Sequence, residues 1–181
     1  MPATSTTYTK VEKVTDAEAV KKAYVPTHPG KFAVEYAEGD YNSKLVASQS
    51  YKKGEIICPV KGSSPGPKKY TSVQVGKDAH IELNSDLVFM NHACNPSIIL
   101  NMEELVVVAA VDLKEGDNMT FFYPSTEWEM TQPFPCWCNA EQCIKVVQGA
   151  KYLSKETMSQ QPFVSKHIKE LMAERDGSPS A

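Results

Sequence analysis

The middle of the chain alternates short apolar runs with polar breaks. From Lys31 onward the runs are rich in β-branched and aromatic residues, and Gly, Asp, Asn or Pro separates each run from the next. No strand–helix–strand rhythm and no glycine-rich phosphate loop accompany them, which argues against a doubly wound nucleotide-binding fold. We therefore expect a mostly β domain of many short strands. The predicted strands lie in KFAVEYA, KLVAS, EIICPV, YTSVQV, AHIEL, IILNM, LVVVAAV and MTFFY.

Three other segments break this pattern. Residues 1–30 are polar and predict an N-terminal arm, with a short helix over residues 16–23, which start acidic and end basic. Residues 61–69 are rich in Pro, Gly and Ser and predict an irregular, mobile loop. After Pro162, which suits a first helical turn, apolar residues at helical spacing predict a core-packed C-terminal helix that Gly177 stops. These apolar residues are Val164, Ile168, Leu171 and Met172.

Net charge and the distribution of apolar segments indicate which partners and which location to expect. A net charge of −3 and a pI of about 5.8 argue against a broad electrostatic surface for nucleic acid, so we expect no direct nucleic-acid binding. No apolar run approaches the ~18 residues of a membrane span, and the N-terminus lacks the apolar segment of a secretory signal. We therefore expect an intracellular protein, in the nucleus or cytoplasm, with reduced thiols and no membrane contact.

The cysteines are concentrated in the stretch PFPCWCNAEQC, residues 133–143, with the spacing C-x-C-x4-C. Thiols this close together can converge on one Zn²⁺ ion, which takes four ligands at a structural site. The stretch supplies three ligands and leaves one position for a residue from elsewhere. Cys58 lies in an apolar run and predicts a buried core thiol, whereas Cys94 lies in a polar turn and is the better candidate. The three clustered cysteines are Cys136, Cys138 and Cys143.

Four segments in order resemble the SET-domain protein lysine methyltransferases. KLVASQSYKKGEIICPV resembles the start of a SET domain, and FMNHACNPS resembles the family's N-H-x-C-x-P-N motif. LKEGDNMTFFY resembles the segment usually written I-x-x-G-E-E-L-T-F-D-Y, and PFPCWCNAEQC resembles the post-SET motif C-x-C-x4-C. The ordered combination, across roughly residues 30–153, is more specific than any one motif.

The resemblance implies a SET fold of small curved β-sheets with a pseudoknot. In that fold the segment containing N-H-x-C threads with the segment that ends in the motif's Tyr. The implied organisation is an N-terminal arm (1–30), a SET domain (31–131), a post-SET zinc segment (132–153) and a C-terminal helix and tail (154–181). An S-adenosylmethionine (SAM) pocket is then expected on one side of the pseudoknot and a lysine channel on the other.

The resemblance also implies roles for individual residues. Cys94 becomes the fourth ligand of a structural zinc, together with the three post-SET cysteines. Tyr123 matches the catalytic tyrosine, whose hydroxyl lies near the amine and the methyl group. Asn91 and His92 match cofactor-pocket positions. Phe121 matches the Phe/Tyr switch position beside the cofactor, where Phe leaves space for more than one methyl group.

Several positions depart from the family's motifs. SET domains carry G-x-G before the strand equivalent to KLVAS, and here Asn42 and Lys44 stand where those glycines are expected. Lys44 is thus a cofactor-pocket position whose side chain can obstruct close backbone contact. Ser97 replaces the last Asn of N-H-x-C-x-P-N, and Phe122 replaces the Asp of F-D-Y.

Three hypotheses follow from the motifs and their departures. The first is a SAM-dependent methyltransferase that acts on a protein lysine. The second is a SET-fold binding module without this activity, and the third is a SET scaffold recruited to small-molecule biosynthetic catalysis. The implied partner is a protein substrate or a small molecule.

A few other side chains carry expectations. His80 predicts a structural hydrogen bond at a strand start, and His167 a solvated position on the terminal helix. Trp128 is expected either to cover the pocket or to pack against the post-SET segment. Glu127 and Glu129 are expected to be solvated surface charges.

Overall fold

The computed structural model describes residues 25–38 and 42–177. The helix predicted over residues 16–23 lies outside this part of the chain. Within it, twelve short strands dominate, and two α-helices follow them. The strands are β1 (Phe32–Glu35), β2 (Lys44–Ala47), β3 (Ile56–Pro59), β4 (Ser64–Gly66), β5 (Ser72–Gln74), β6 (His80–Glu82), β7 (Asn91–His92), β8 (Ile98–Asn101), β9 (Val106–Ala109), β10 (Thr120–Phe121), β11 (Phe134–Pro135) and β12 (Val146–Val147). The helices are α1 (Lys155–Ser159) and α2 (Lys166–Arg175).

The strands form small separate sheets, as expected for a SET fold. The pairs β1–β2 and β11–β12 are antiparallel, and so are the three-stranded sheets β3–β9–β8 and β4–β6–β5. In β8 and β9 the buried residues face one another, because Ile98 pairs with Ala109 and Leu100 with Val107. This alternation places one face of the sheet on the main core.

One short pair is parallel and joins two distant motifs. β7 pairs with β10, so that Asn91 lies opposite Thr120 and His92 opposite Phe121. Just beyond the pair, the Ser97 hydroxyl accepts a bond from the Thr120 N–H at 2.9 Å and donates one to the Asn118 carbonyl at 2.7 Å. The two segments that the resemblance expects to thread together are therefore adjacent.

Two apolar clusters hold the molecule together. The main cluster lies among the sheets and includes the fully buried Leu45 and Met119. The second contains Cys94, Phe122 and Ile168, and it joins α2 to the post-SET cysteine segment. The expected core packing of the C-terminal stripe is confirmed, since all four of its apolar residues are buried. Among the described residues, no helix combines the length and the apolar character needed to cross a bilayer.

The loop predicted over residues 61–69 contains a strand that the sequence analysis did not predict. Its centre forms β4, which pairs with β6 in the register Ser64 with Glu82 and Gly66 with His80. The Asn84 side-chain amide adds bonds to the Gly62 carbonyl at 3.0 Å and to the Ser64 hydroxyl at 2.8 Å. The central Pro of β4 obscured this strand in the sequence, but β4 lies at the edge of its sheet, where a residue without an N–H is tolerated.

The C-terminal helix starts later than the sequence suggests. Pro162 lies outside it, and the helix begins at Lys166 with Ser165 as the preceding cap. The Ser165 N–H donates to the Ser125 carbonyl at 2.9 Å, which ties the residue before the helix to the turn after Tyr123. The predicted stop is confirmed, because Gly177 follows the helix with φ of 69°.

Candidate functional site

The four motif cysteines converge. The Sγ atoms of Cys94, Cys136, Cys138 and Cys143 all lie within 4.8 Å of one another. Zn–S bonds of about 2.3 Å in a tetrahedron place sulfurs ~3.8 Å apart, and Cys94 Sγ lies 3.8 Å from Cys136 Sγ. The donor set therefore fits a structural zinc ion. Cys58 lies apart in the main core, as expected, and burial raises the pKa of its thiol to about 11.

Backbone groups shape this cysteine cluster. The Ile144 N–H donates to Cys94 Sγ at 3.4 Å, and the Cys136 N–H donates to the Lys145 carbonyl at 2.7 Å. Burial acts to raise the pKa of Cys138, but backbone hydrogen bonds from Ala140 and Cys94 lower it to about 6. At least one thiol is thus readily available as the thiolate that a metal needs.

His92 connects the cysteine cluster to the neighbouring motif. Its Nδ1 accepts a hydrogen bond from the Tyr123 N–H at 3.2 Å, so the ring proton lies on Nε2. Nε2 is 3.4 Å from Cys94 Sγ and donates toward this sulfur. Burial lowers the pKa of His92 to about 4, which keeps the ring neutral. His92 thus orients a candidate metal ligand and holds the backbone of Tyr123.

A cavity of about 490 Å³ lies next to this connection. Three of the predicted site residues line it: Asn91, Phe121 and Tyr123. Two others, Lys44 and His92, do not belong to its lining. Its volume lies within the range of about 300–1,000 Å³ usual for small-molecule sites.

The side chains at the glycine-like positions do not line the cavity. The Lys44 ammonium pairs with the Glu35 carboxylate at 2.9 Å, and the Asn42 amide donates to the Glu38 carbonyl at 2.6 Å. Asn91 donates its amide to the Ser43 carbonyl at 3.0 Å, and both residues line the cavity. The side chains of Lys44 and Asn42 are thus bonded to partners outside the lining of this cavity.

Tyr123 is oriented by both of its polar groups. Its hydroxyl donates to the Met90 carbonyl at 2.8 Å, and its ring lies 4.7 Å from that of Phe121 and 5.3 Å from that of His92. Burial raises the pKa of the phenol, and the nearby Glu127 carboxylate adds to this shift. The phenol stays protonated, and its oxygen keeps lone pairs that can accept a hydrogen bond inside the cavity.

The expectation that Glu127 is a solvated charge is wrong. The side chain is only 8% exposed and lines the cavity. Its Oε1 accepts bonds from the Gln74 N–H at 2.8 Å and from the Thr126 hydroxyl at 3.3 Å. Burial raises its pKa to about 7, although these hydrogen bonds oppose the shift. No spacing rule indicated this residue, and its position four residues after Tyr123 was the only signal.

The Glu127 backbone is held from both sides. Its N–H donates to the Tyr123 carbonyl at 3.0 Å, which continues the 3-10 turn Tyr123–Ser125. Its carbonyl accepts from the Ala150 N–H at 2.9 Å. The Gln74 side chain completes the contact by accepting the Trp128 N–H at 2.9 Å. The turn and the strand β5 thereby fix both Tyr123 and Glu127 at the cavity.

The structure bears out some of the remaining expectations for single side chains and corrects others. His167 was expected to be solvated, but it is buried. Its Nε2–H donates to the Thr126 carbonyl at 2.8 Å. His80 Nε2 is buried without a hydrogen-bond partner among the described residues, so this ring nitrogen does not make the expected bond. Trp128 packs against the second apolar cluster, as one of its two alternatives predicted. Glu129 is partly exposed and pairs with Lys151 at 3.0 Å.

Relatives of this chain carry methyltransferase names. It is 37% identical over 151 residues to Methyltransferase flvH of Aspergillus flavus, a match that covers 82% of this chain and 84% of the relative. The chain belongs to the SET-domain methyltransferase family. A second match, 29% identical over 73 residues, is to Histone-lysine N-methyltransferase ash1 of Drosophila melanogaster. It covers 37% of this chain and 3% of ash1.

Solved structures and family models add little to this assignment. The structure of KRYPTONITE in complex with mCHG DNA and SAH superposes on this chain with a TM-score of 0.49 and 16% identity. The superposition covers 64% of this chain and 29% of the KRYPTONITE chain. The methyltransferase domain of human Histone-lysine N-methyltransferase SETMAR superposes on 74% of this chain and 58% of its own, with a TM-score of 0.46 and 14% identity. No family model matches the chain.

Proposed function

We propose that the chain is a SAM-dependent methyltransferase that methylates an amine, with the lysine side chain of a protein as its first candidate substrate. The observation that carries the proposal is the match to Methyltransferase flvH over most of both chains. The cavity lined by Asn91, Phe121 and Tyr123 supports it, because these are the positions that the motif resemblance assigns to the reaction. The partial match to ash1 favours a lysine of a protein as the substrate. The intracellular location expected from the sequence stays a prediction.

The chemistry asked of the chain is mainly alignment. When bound, SAM supplies a methyl group on a sulfonium sulfur: the new N–C bond forms as the C–S bond breaks, and S-adenosylhomocysteine leaves. Tyr123 would position the attacking nitrogen through its oxygen, since its own proton is engaged by Met90. Phe121, with no hydroxyl, would leave room beside that nitrogen for more than one methyl group. The cavity walls would limit water near the reacting atoms.

The zinc ion in this proposal is structural. Four cysteine ligands leave no open coordination position for water or substrate, so the metal would take no part in the transfer. Its contribution would be to hold the post-SET segment against Cys94 and, through His92, to support the backbone at Tyr123.

Small-molecule catalysis is the second candidate. The match to Methyltransferase flvH covers 82% of this chain and 84% of that relative, and the relative's name specifies no histone or other protein substrate. The buried Glu127 carboxylate in the cavity suits a free amine as well as a lysine side chain.

A labelled-methyl assay tests the proposal and separates the candidates. Zinc-loaded protein would be incubated with methyl-labelled SAM and, in parallel, with core histones, with a lysine-containing peptide pool and with a set of small primary amines. Label in the histones or peptides supports the protein-lysine proposal, and label only in the amines supports the second candidate. No label in any pool contradicts both and favours the binding-module hypothesis.

A further inference from the structure

Only one of the two Glu127 carboxylate oxygens accepts hydrogen bonds from the described residues. Oε1 accepts both hydrogen bonds that the described residues donate to this carboxylate, from the Gln74 N–H and the Thr126 hydroxyl. Oε2 accepts none from that part of the chain, yet the residue lines the cavity and is 8% exposed. Oε2 is therefore the oxygen that remains for a ligand in the cavity, and a cationic ligand would offset part of the cost of holding this largely buried carboxylate in its charged form.

No cation of the described residues is shown to neutralise this carboxylate. Lys69 also lines the cavity, but its ammonium lies 3.5 Å from Glu82. Lys68 acts on Glu127 only through a minor long-range attraction, which lowers the pKa. Tyr123 is a neutral phenol, and His167, on the far side of Thr126, is kept neutral by a burial that lowers its pKa. The cavity thus presents a carboxylate to which no ammonium of the described chain is bonded.

We propose that Glu127 is the site that binds the ammonium group of the substrate and accepts its proton before methyl transfer. This inference rests on the proposed function and deepens it, because it assigns the cavity to cationic amines. In the step, an N–H bond of the ammonium breaks and an O–H bond forms on Glu127. The free amine then attacks the methyl carbon, so that an N–C bond forms and the C–S bond breaks. An alkylammonium has a pKa of about 10.4 in water, and desolvation in the cavity lowers it toward that of Glu127.

The neighbouring carboxylates offer a matched pair of variants. Glu127→Gln keeps an oxygen that can accept the Gln74 N–H, so it removes the charge with little change in shape. Glu129→Gln removes a carboxylate two residues away that pairs with Lys151 outside this cavity. Both variants would first be compared with the wild type by thermal melting.

The test uses a cation and a neutral molecule of the same size. Binding of n-butylammonium and of 1-butanol to the zinc-loaded protein would be measured by NMR titration at about pH 8 and about pH 5. With a pKa of about 7, Glu127 is mostly ionised at the higher pH and mostly protonated at the lower. The wild type and Glu129→Gln should prefer the cation at least ~tenfold at the higher pH and lose most of this preference at the lower. Glu127→Gln should show no preference at either pH.

Two results would overturn the inference: a cation preference that persists in Glu127→Gln, or a wild-type preference that does not fall with pH. The pH arm keeps the test decisive even if Glu127→Gln does not fold. The proposed function fails separately, because it is measured by label transfer from SAM. Transfer without a cation preference would leave the methyltransferase proposal standing and reject the role of Glu127. A cation preference without transfer would leave the ammonium site standing and reject the methyltransferase proposal.

Discussion

Replacing Gly149 by Ala should weaken the fold more than a glycine replacement elsewhere. Gly149 has φ of 112°, a conformation that side-chain-bearing residues rarely adopt. A Cβ placed on it would lie 2.7 Å from Glu129 Cα and would also overlap the Trp128 carbonyl. The next two N–H groups bond the Glu127 and Trp128 carbonyls, so the segment cannot move away without losing them.

The expected loss of unfolding free energy in Gly149→Ala is the sum of two terms. The strained dihedral costs about 1–3 kcal/mol, and the backbone overlap about 1–3 kcal/mol more. The sum of about 2–6 kcal/mol is a large part of an ordinary unfolding free energy of about 5–15 kcal/mol. With a urea dependence of about 2 kcal/mol/M, the unfolding midpoint should fall by roughly 1–3 M.

Gly116→Ala is the matched control, because Gly116 has φ of 86° and no atom lies within 4 Å of the position that an added Cβ would take. It should lose only the dihedral term, about 1–2 kcal/mol. Both variants would be unfolded in urea and followed by tryptophan fluorescence and circular dichroism. A midpoint shift for Gly149→Ala no larger than that for Gly116→Ala would refute the argument that residues 127–129 are packed tightly against Gly149.

Three further predictions concern the zinc site, the cavity and the helix. Elemental analysis should find one zinc per chain, lost in Cys136→Ser and kept in Cys58→Ser; equal zinc in both variants would reject the assigned ligands. Tyr123→Phe loses the bond to the Met90 carbonyl and should lower labelled-methyl transfer at least ~tenfold, while the unfolding free energy falls by only ~1 kcal/mol; unchanged transfer would reject its assigned role. Ile168→Ala empties a fully buried position and should cost about 2–5 kcal/mol in urea unfolding; a cost near zero would mean that α2 is not held by the second cluster.

The fold was largely predictable because its signals are local. Alternating runs marked most strands, and the spacing C-x-C-x4-C marked three ligands whose fourth, Cys94, was selected by its polar turn. β4 was missed because its pairing partner is β6, the central strand of the sheet, which lies some fifteen residues along the chain. The assigned domain boundaries at 30, 131 and 153 stay predictions.

The site was less predictable than the fold. Asn91, Phe121 and Tyr123 were found through motifs, and all three line the cavity, although their roles stay predictions. Glu127 and His167 were missed because their burial depends on contacts with β5 and the turn at Tyr123, which no local pattern encodes. Glu side chains are mostly exposed in folded proteins, so the sequence alone favours a solvated position for Glu127. Only its tertiary contacts show that it is buried.

The central claim is that this SET-domain chain uses SAM, and isothermal titration calorimetry of SAM into zinc-loaded protein tests it most directly. The account predicts saturable binding of one SAM per chain, competed by S-adenosylhomocysteine and weakened by replacing Asn91 with Leu, which would remove the amide that fixes the Ser43 carbonyl at the cavity wall. Folded, zinc-loaded protein that shows no heat of SAM binding would contradict the account.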